Sequence, residues 1–156
     1  MNLGSKKQLV GIVGVCLVTV AVLVVLLIPQ STSFAVFHDP VWIDEDGNGV
    51  FNDGEWNGTL IQAAVDNASK GDTIYVGDGI YNENVDVNKQ VTIQSANGSE
   101  NCTVQATDAG DHVIGIFADW VNISGLTVQG ATGYENAGIY IYNRQHCNIS
   151  NINATG

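Results

Sequence analysis

Val121-Asn122-Ile123-Ser124-Gly125-Leu126 returns as Cys147-Asn148-Ile149-Ser150-Asn151-Ile152, 26 residues further on. Upstream, Ile114-Gly115-Ile116-Phe117 resembles Ile139-Tyr140-Ile141-Tyr142 at a shift of 25. Val91-Thr92-Ile93-Gln94-Ser95 is a weaker third copy. Within each copy apolar and polar residues alternate, which is the period of a β-strand. A repeat of about 25 residues holding three short strands fits one coil of a parallel β-helix. Gly125 and Asn151 fill the same slot, and both tolerate the left-handed backbone of a sharp corner. Val121, Ile123, Leu126 and Val128 then point inward, with Cys147, Ile149, Ile152 and Ala154 in the matching positions. Such positions stack about 4.8 Å apart in successive coils.

Outward from the repeat, the same alternation predicts strands at Thr73–Val76, Val85–Val87, Thr103–Gln105, His112–Phe117 and Gly138–Tyr142. Turn residues separate them, among them Gly77-Asp78-Gly79, Asn97-Gly98, Ala109-Gly110, Gly130 and Gly133. Before the strands the period changes. Leu60, Ile61, Ala64, Val65 and Ala68 recur at helical spacing, with Thr59 as N-cap, Gln62 as its capping-box partner and Gly71 as the stop. This predicts an amphipathic helix of about ten residues that must cover another surface.

The N-terminus is a different material. Lys6 and Lys7 precede Leu9 to Ile28, twenty residues without a charge. At about 1.5 Å per residue that run reaches roughly 30 Å, the thickness of a bilayer core. The lysines favour an N-terminus inside and the rest outside. Ser33-Phe34-Ala35 has the form of a signal-peptidase site, so residues 1–35 read as a signal peptide or an uncleaved anchor. In the uncleaved case the membrane is a partner through residues 9–28 and the N-terminus is cytoplasmic. Both readings export the rest of the chain.

The whole chain of 156 residues carries a net charge of −11, with 16 acids against five Lys and Arg. All 16 acids lie beyond residue 35, where only Lys70, Lys89 and Arg144 oppose them. That balance argues against a nucleic-acid partner, which needs clustered cations. Three cysteines are too few for a disulfide scaffold.

Asp44 to Glu55 reads DEDGNGVFNDGE. A calcium loop needs oxygen ligands at its first, third, fifth and twelfth positions and glycine at the sixth. Asp44, Asp46, Asn48 and Glu55 fall on the ligand positions and Gly49 on the sixth. Val50 supplies a carbonyl at the seventh, and Asn52 sits at the ninth. The segment 36–57 is therefore read as an acidic loop with calcium as its cofactor, framed by a strand at Val41-Trp42-Ile43 and not by helices. The plainer reading is a set of Asx and Gly turns.

Residues 58–156 carry a family resemblance. Ile61-Gln62-Ala63-Ala64, Gly71-Asp72-Thr73-Ile74-Tyr75-Val76, Gly79-Ile80-Tyr81, Glu83 and Asn88-Lys89-Gln90-Val91-Thr92-Ile93 look like the N-terminal cap and first coil of right-handed parallel β-helix proteins. These belong to the pectate-lyase-like superfamily, notably exported repeat proteins of archaeal surfaces and copper-associated accessory proteins of nitrous-oxide reductase. The resemblance implies an all-β fold: a right-handed parallel β-helix with an N-terminal amphipathic cap helix, preceded by the membrane or signal helix. It implies little about activity, because the superfamily carries lyases, hydrolases, binding proteins and structural proteins.

The residues themselves weigh against a complete active site. Arg144 is the only arginine, and no carboxylate cluster adjoins it in sequence. Asp108, Asp111 and Asp119 fall at turns, where Asp serves the backbone. His112 and His146 are not one repeat apart, His146 instead takes the slot of Trp120, and Cys102 and Cys147 read as small core residues. Copper rests on the resemblance alone. Tyr140 and Tyr142 have outward parity and form a candidate carbohydrate-stacking pair. Asn57, Asn67, Asn97, Asn101, Asn122, Asn148 and Asn153 each begin a glycosylation sequon, against roughly 1.6 expected by chance. Asn122 and Asn148 stack, so both cannot carry bulky glycans.

The sequence thus reads as an exported cell-surface β-helix with a structural, adhesive or carbohydrate-recognition role, with a polysaccharide or surface glycan as ligand. The alternative is the first part of a polysaccharide lyase or glycoside hydrolase. The repeat stops midway through a coil, so a further coil or a partner is expected at the C-terminal end.

Overall fold

A computed structural model describes residues 40–155. The signal or anchor reading of residues 1–35 lies outside the described residues. Among the described residues no helix is long and apolar enough to cross a membrane.

The chain opens with β1 (Val41–Asp44) and β2 (Asn57–Gly58), followed by helix α1 (Ile61–Asn67). Three full coils come next. The first holds β3 (Thr73–Val76), β4 (Gly79–Asn82) and β5 (Val85–Val87). The second holds β6 (Thr92–Ser95), β7 (Cys102–Gln105) and β8 (Ile114–Ile116). The third holds β9 (Asn122–Ser124), β10 (Thr127–Gln129) and β11 (Ile139–Ile141), and β12 (Asn148–Ser150) and β13 (Asn153–Thr155) begin another. Strands of equivalent position pair in parallel and build three sheets: β12-β9-β6-β3-β1-β2, β13-β10-β7-β4 and β11-β8-β5. The molecule is a parallel β-solenoid of about three turns.

Register follows the repeat read from the sequence. Asn122 pairs with Asn148 and Ile123 with Ile149, Ile114 with Ile139, and Ile93 with Ile123. Because one-residue slips would turn every side chain over, the inward apolar set fixes this alignment. Ile74, Ile93 and Ile123 are fully buried and stack, with Ile149 next in the ladder. Val121, Leu126 and Val128 are likewise fully buried. Each such side chain contributes about 1.5–3 kcal/mol relative to exposure. Cys147, Ile149 and Ile152 pack against this core only in part, and Ala154 is exposed.

The spacing is less regular than 25 residues. Thr73 pairs with Thr92 after 19 residues, Thr92 meets Asn122 across 30, and Gln105 meets Gln129 across 24. The strands hold register while the loops at the corners absorb the difference. The two-residue β2 and the strand β4 had no alternation to reveal them, whereas β13 followed from the repeat. In β4, Gly79 belongs to the turn signal yet starts the strand, and β13 is three exposed residues.

The cap helix departs from its sequence reading. It spans seven residues, its N-cap is Leu60, and no capping side chain comes from Thr59. The carboxylate of Glu83, a coil residue, accepts from Ile61 N at 2.9 Å and Gln62 N at 2.9 Å instead. Gln62 is not a capping-box partner. Its Oε1 accepts from Asp86 N at 2.7 Å and its Nε2 donates to Asp86 O at 3.4 Å, imitating a neighbouring strand along the open edge of β5. Nor does Gly71 stop the helix. The helix ends at Ala68, whose backbone is extended, and Lys89 Nζ donates to Asp66 O at 2.7 Å and Ala68 O at 3.0 Å. Gly71 instead turns the chain at φ 101°. An acid at the N-terminus and a base at the C-terminus suit the helix dipole. Meanwhile β1 lies antiparallel on β3 and covers the edge of the first sheet.

Candidate functional sites: an acidic hairpin loop and an aromatic corner

β1 and β2 pair antiparallel, Val41 with Gly58 and Trp42 with Asn57. The twelve residues Asp44–Glu55 are the loop that closes this hairpin. Its frame is strand–loop–strand. Asp44, buried at 4 % exposure, accepts from Gly47 N at 2.7 Å and Asn48 N at 3.1 Å through Oδ1 and from Gly49 N at 2.8 Å through Oδ2. Gly47 and Gly49 take φ of 76° and 77°, so the loop can curl around that carboxylate only with residues that accept left-handed backbone.

The remaining candidate ligands converge. Asp46 Oδ2 accepts from Asn48 Nδ2 at 2.8 Å and Asn52 Nδ2 at 3.2 Å. Asn52 Nδ2 also reaches Val50 O at 3.1 Å, and Glu55 Oε2 accepts from Asn52 N at 2.7 Å. Carboxylate oxygens of Asp44, Asp46 and Glu55 come within 4.8 Å of one another. The loop holds five carboxylates and no Lys or Arg. Like charges at that distance repel unless a cation or a proton offsets them. Below the loop, Phe51 meets Trp42 edge-on at 6.1 Å, and Trp42 stacks on Tyr75 of β3 at 4.3 Å. The loop is thereby fixed to the first coil.

The second site lies on the outer face of the β5-β8-β11 sheet. Asp86, Gly115 and Tyr140 share one register position. A Cβ on Gly115 would lie 2.6 Å from Phe117 Cε2 and 3.1 Å from Asp86 Oδ1, so glycine there makes room for the Phe117 ring to fold back. Tyr140 and Tyr142 sit side by side with centroids 6.2 Å apart. His112 stacks on Tyr140 at 4.0 Å, held by Ala137 N donating to its Nδ1 at 3.1 Å. One face of Tyr140 is thus covered, and Tyr142, 57 % exposed, is the more open ring.

At the adjoining corner Trp120 and His146 occupy the same slot of successive coils and stack at 4.0 Å and 15°. Trp120 N donates to Gln145 O at 3.1 Å, and Gln145 N donates to Asp119 Oδ1 at 3.1 Å. The two histidines are each tied to a different aromatic ring. Cys102 is buried and Cys147 half-buried, both as free thiols. Burial, with some help from Asp78 and against a hydrogen bond from Ser95, pushes the Cys102 thiol up to about 11. A thiol so held is a poor metal ligand at neutral pH.

The three turn aspartates serve backbone groups. Asp108 Oδ1 accepts from Gly110 N at 2.8 Å and Asp111 Oδ1 from His112 N at 2.7 Å. Asn84 belongs to no motif of the sequence. Its Oδ1 accepts from Thr107 N and Asp108 N at 3.0 and 2.9 Å, and its Nδ2 donates to Asp108 O and His112 O at 3.0 and 2.9 Å. It fastens the first coil to the second coil's longest loop. The sequon residues Asn67, Asn97, Asn101, Asn122, Asn148 and Asn153 are exposed, and Asn57 is half-buried. Asn122 Nδ2 donates to Thr92 Oγ1 at 3.3 Å, an outward ladder above which Asn148 stands in register.

Known proteins add one relationship. A cell surface glycoprotein of Methanothermus fervidus is 39 % identical over 95 residues, which is 60 % of this chain and 15 % of that protein. The chain therefore matches about 15 % of that relative's length. No protein-family model matches the chain, and no solved structure does.

Proposed function

We propose that this protein is an exported structural component of the cell surface. The observation that carries the reading is a register-matched parallel solenoid in a chain similar to a cell surface glycoprotein. Residues 1–35 deliver or anchor it through residues 9–28, with the N-terminus inside if uncleaved. Residues 36–57 form an acidic calcium-binding segment, and residues 58–156 belong to a right-handed solenoid of the pectate-lyase-like kind. Parallel strand connections are nearly always right-handed, which supports that handedness. Calcium is taken by Asp44, Asp46, Asn48, Asn52 and Glu55 with the Val50 carbonyl, since a hard cation relieves the repulsion of crowded carboxylates. Tyr140 and Tyr142 contribute glycan recognition, and the exposed sequons carry glycans except where Asn122 and Asn148 exclude each other. The open edges of β11, β12 and β13 offer backbone groups to a pairing partner, because an open edge strand invites pairing. An enzymatic role finds no support in Asp108, Asp111 and Asp119, whose carboxylates serve backbone N–H groups.

Protease treatment of intact cells tests the location. The expected result is loss of the solenoid domain while a cytoplasmic marker stays whole. A solenoid protected until the cells are lysed overturns the reading.

A further inference from the structure

Five non-glycine residues among the described ones have left-handed backbone: Trp120, Glu135, Asn143, His146 and Asn151. Three of the five sit at one corner, between the β5-β8-β11 sheet and the β12-β9-β6 strands. Trp120 stands at φ 62°, Asn143 at 51° and His146 at 58°. Asn and His accept this conformation more readily than most residues, but the bulky Trp120 is a true outlier there. Trp120 is 54 % exposed, and its ring stacks on His146, itself exposed and left-handed. The slot repeats from one coil to the next. Glycine would fill it without strain, as Gly125 fills the corner slot shared with Asn151. Strain of this kind collects at functional sites.

The groups around the two rings suit a sugar. Tyr142 is the second exposed aromatic of the same corner, and Asp119, Asn143, Arg144 and Gln145 are all exposed beside them. Aromatic faces accept the C–H faces of a pyranose, and the flanking amides, carboxylate and guanidinium offer donors and acceptors to hydroxyl groups. Asp119 immediately precedes Trp120, and the chain's net charge is −11. That field disfavours an anionic polymer.

We propose that Trp120, stacked on His146, is the principal platform of a binding site for neutral polysaccharide, extending from Tyr142 across this corner. The proposal rests on the glycan-recognition reading above and adds the residue and the sugar class. Backbone strain at Trp120 is retained because the ring meets ligand there.

The test uses the full chain in mild detergent, with affinity electrophoresis through mannan and dextran and with polygalacturonate as the anionic control. Trp120→Gly and Trp120→Asn both relieve or tolerate the left-handed backbone, so Tm is expected to hold or rise by about 3 °C. Binding to the neutral polymer is expected to weaken by about tenfold or more. Tyr142→Ala tests the underlying reading separately. If the wild-type chain binds no neutral polymer, both fall. If Tyr142→Ala loses binding while both Trp120 variants keep it, the glycan reading stands and the Trp120 platform falls. If binding is lost only together with a lowered Tm in both Trp120 variants, Trp120 is structural and the proposal is overturned. Retention on polygalacturonate equal to that on mannan overturns the neutral-sugar assignment.

Discussion

Glu83 is a single residue on which two parts of the chain depend. It is only 8 % exposed, and its carboxylate closes the N-terminus of a helix some twenty residues earlier. A seven-residue helix is too short to persist alone, so these bonds and the burial of Ile61, Ala64 and Val65 hold it in place. Replacing Glu83 by Ala leaves two helix N–H groups buried without an acceptor. The expected cost is about 1–3 kcal/mol, read as a lower midpoint in urea denaturation, with Glu83→Gln recovering part of it. The sequence offered Thr59 and Gln62 for this role because local spacing is all a capping motif contains. A cap supplied from a later coil has no local signature. The left-handed corner at Gly125 and Asn151 was legible for the opposite reason: a repeat slot filled by Gly and Asn says what backbone it needs, and φ is 72° and 53° there. Calcium is also decided residue by residue. Millimolar calcium, the range of extracellular loops, should raise Tm by several degrees. Glu55→Gln should abolish the rise while still accepting from Asn52 N, and an unchanged Tm in the wild-type chain would refute a calcium site.

Among the elements, β4 and β7 carry a pH-sensitive contact. Tyr81 on β4 pairs in register with Val104, and Gly79 pairs with Cys102 on β7. Burial first, then the charges of Cys102, Asp78 and Glu83, push the Tyr81 phenol up to about 12, beside the Cys102 thiol at about 11. Both groups release their protons more readily when unfolded, where they titrate near 10 and 9. Between those values and the raised ones the folded chain binds more protons, so stability falls as pH rises from about 9 towards 12. Urea midpoints across that range should decline, and Tyr81→Phe should flatten the upper part of the decline. A midpoint constant from pH 8 to 11 would exclude this. The pairing itself was hard to anticipate. β7 alternates visibly, but β4 begins on a glycine at φ 152° and shows Ile80 to solvent at 69 %. It lacks an apolar-in, polar-out alternation, and only its partner strand reveals it.

For the whole molecule, the repeat made the coil stack readable because parallel register leaves identical residues one above another. Ile93 on Ile123 and Asn122 on Asn148 are positions whose similarity is imposed by contact. The corner loops face solvent, obey no such constraint, and vary in length from coil to coil. The candidate sites reflect the same division. The calcium spacing was legible because twelve consecutive residues must wrap one ion. At the aromatic corner the outward pair Tyr140 and Tyr142 and the shared slot of Trp120 and His146 were legible from parity and repeat. The stack of His112 on Tyr140 was not, because those two rings come from successive coils and from different slots.

That stack also determines how the molecule would answer a pull. Each coil is joined to the next by three strand pairs, of three or four residues each. Tension along the solenoid axis would load these joints in series, one coil after another. Contacts between coils are nearest-neighbour only. The chain would therefore lengthen in successive releases of about one coil, and a surface built from it would yield stepwise under load without losing the coils that remain.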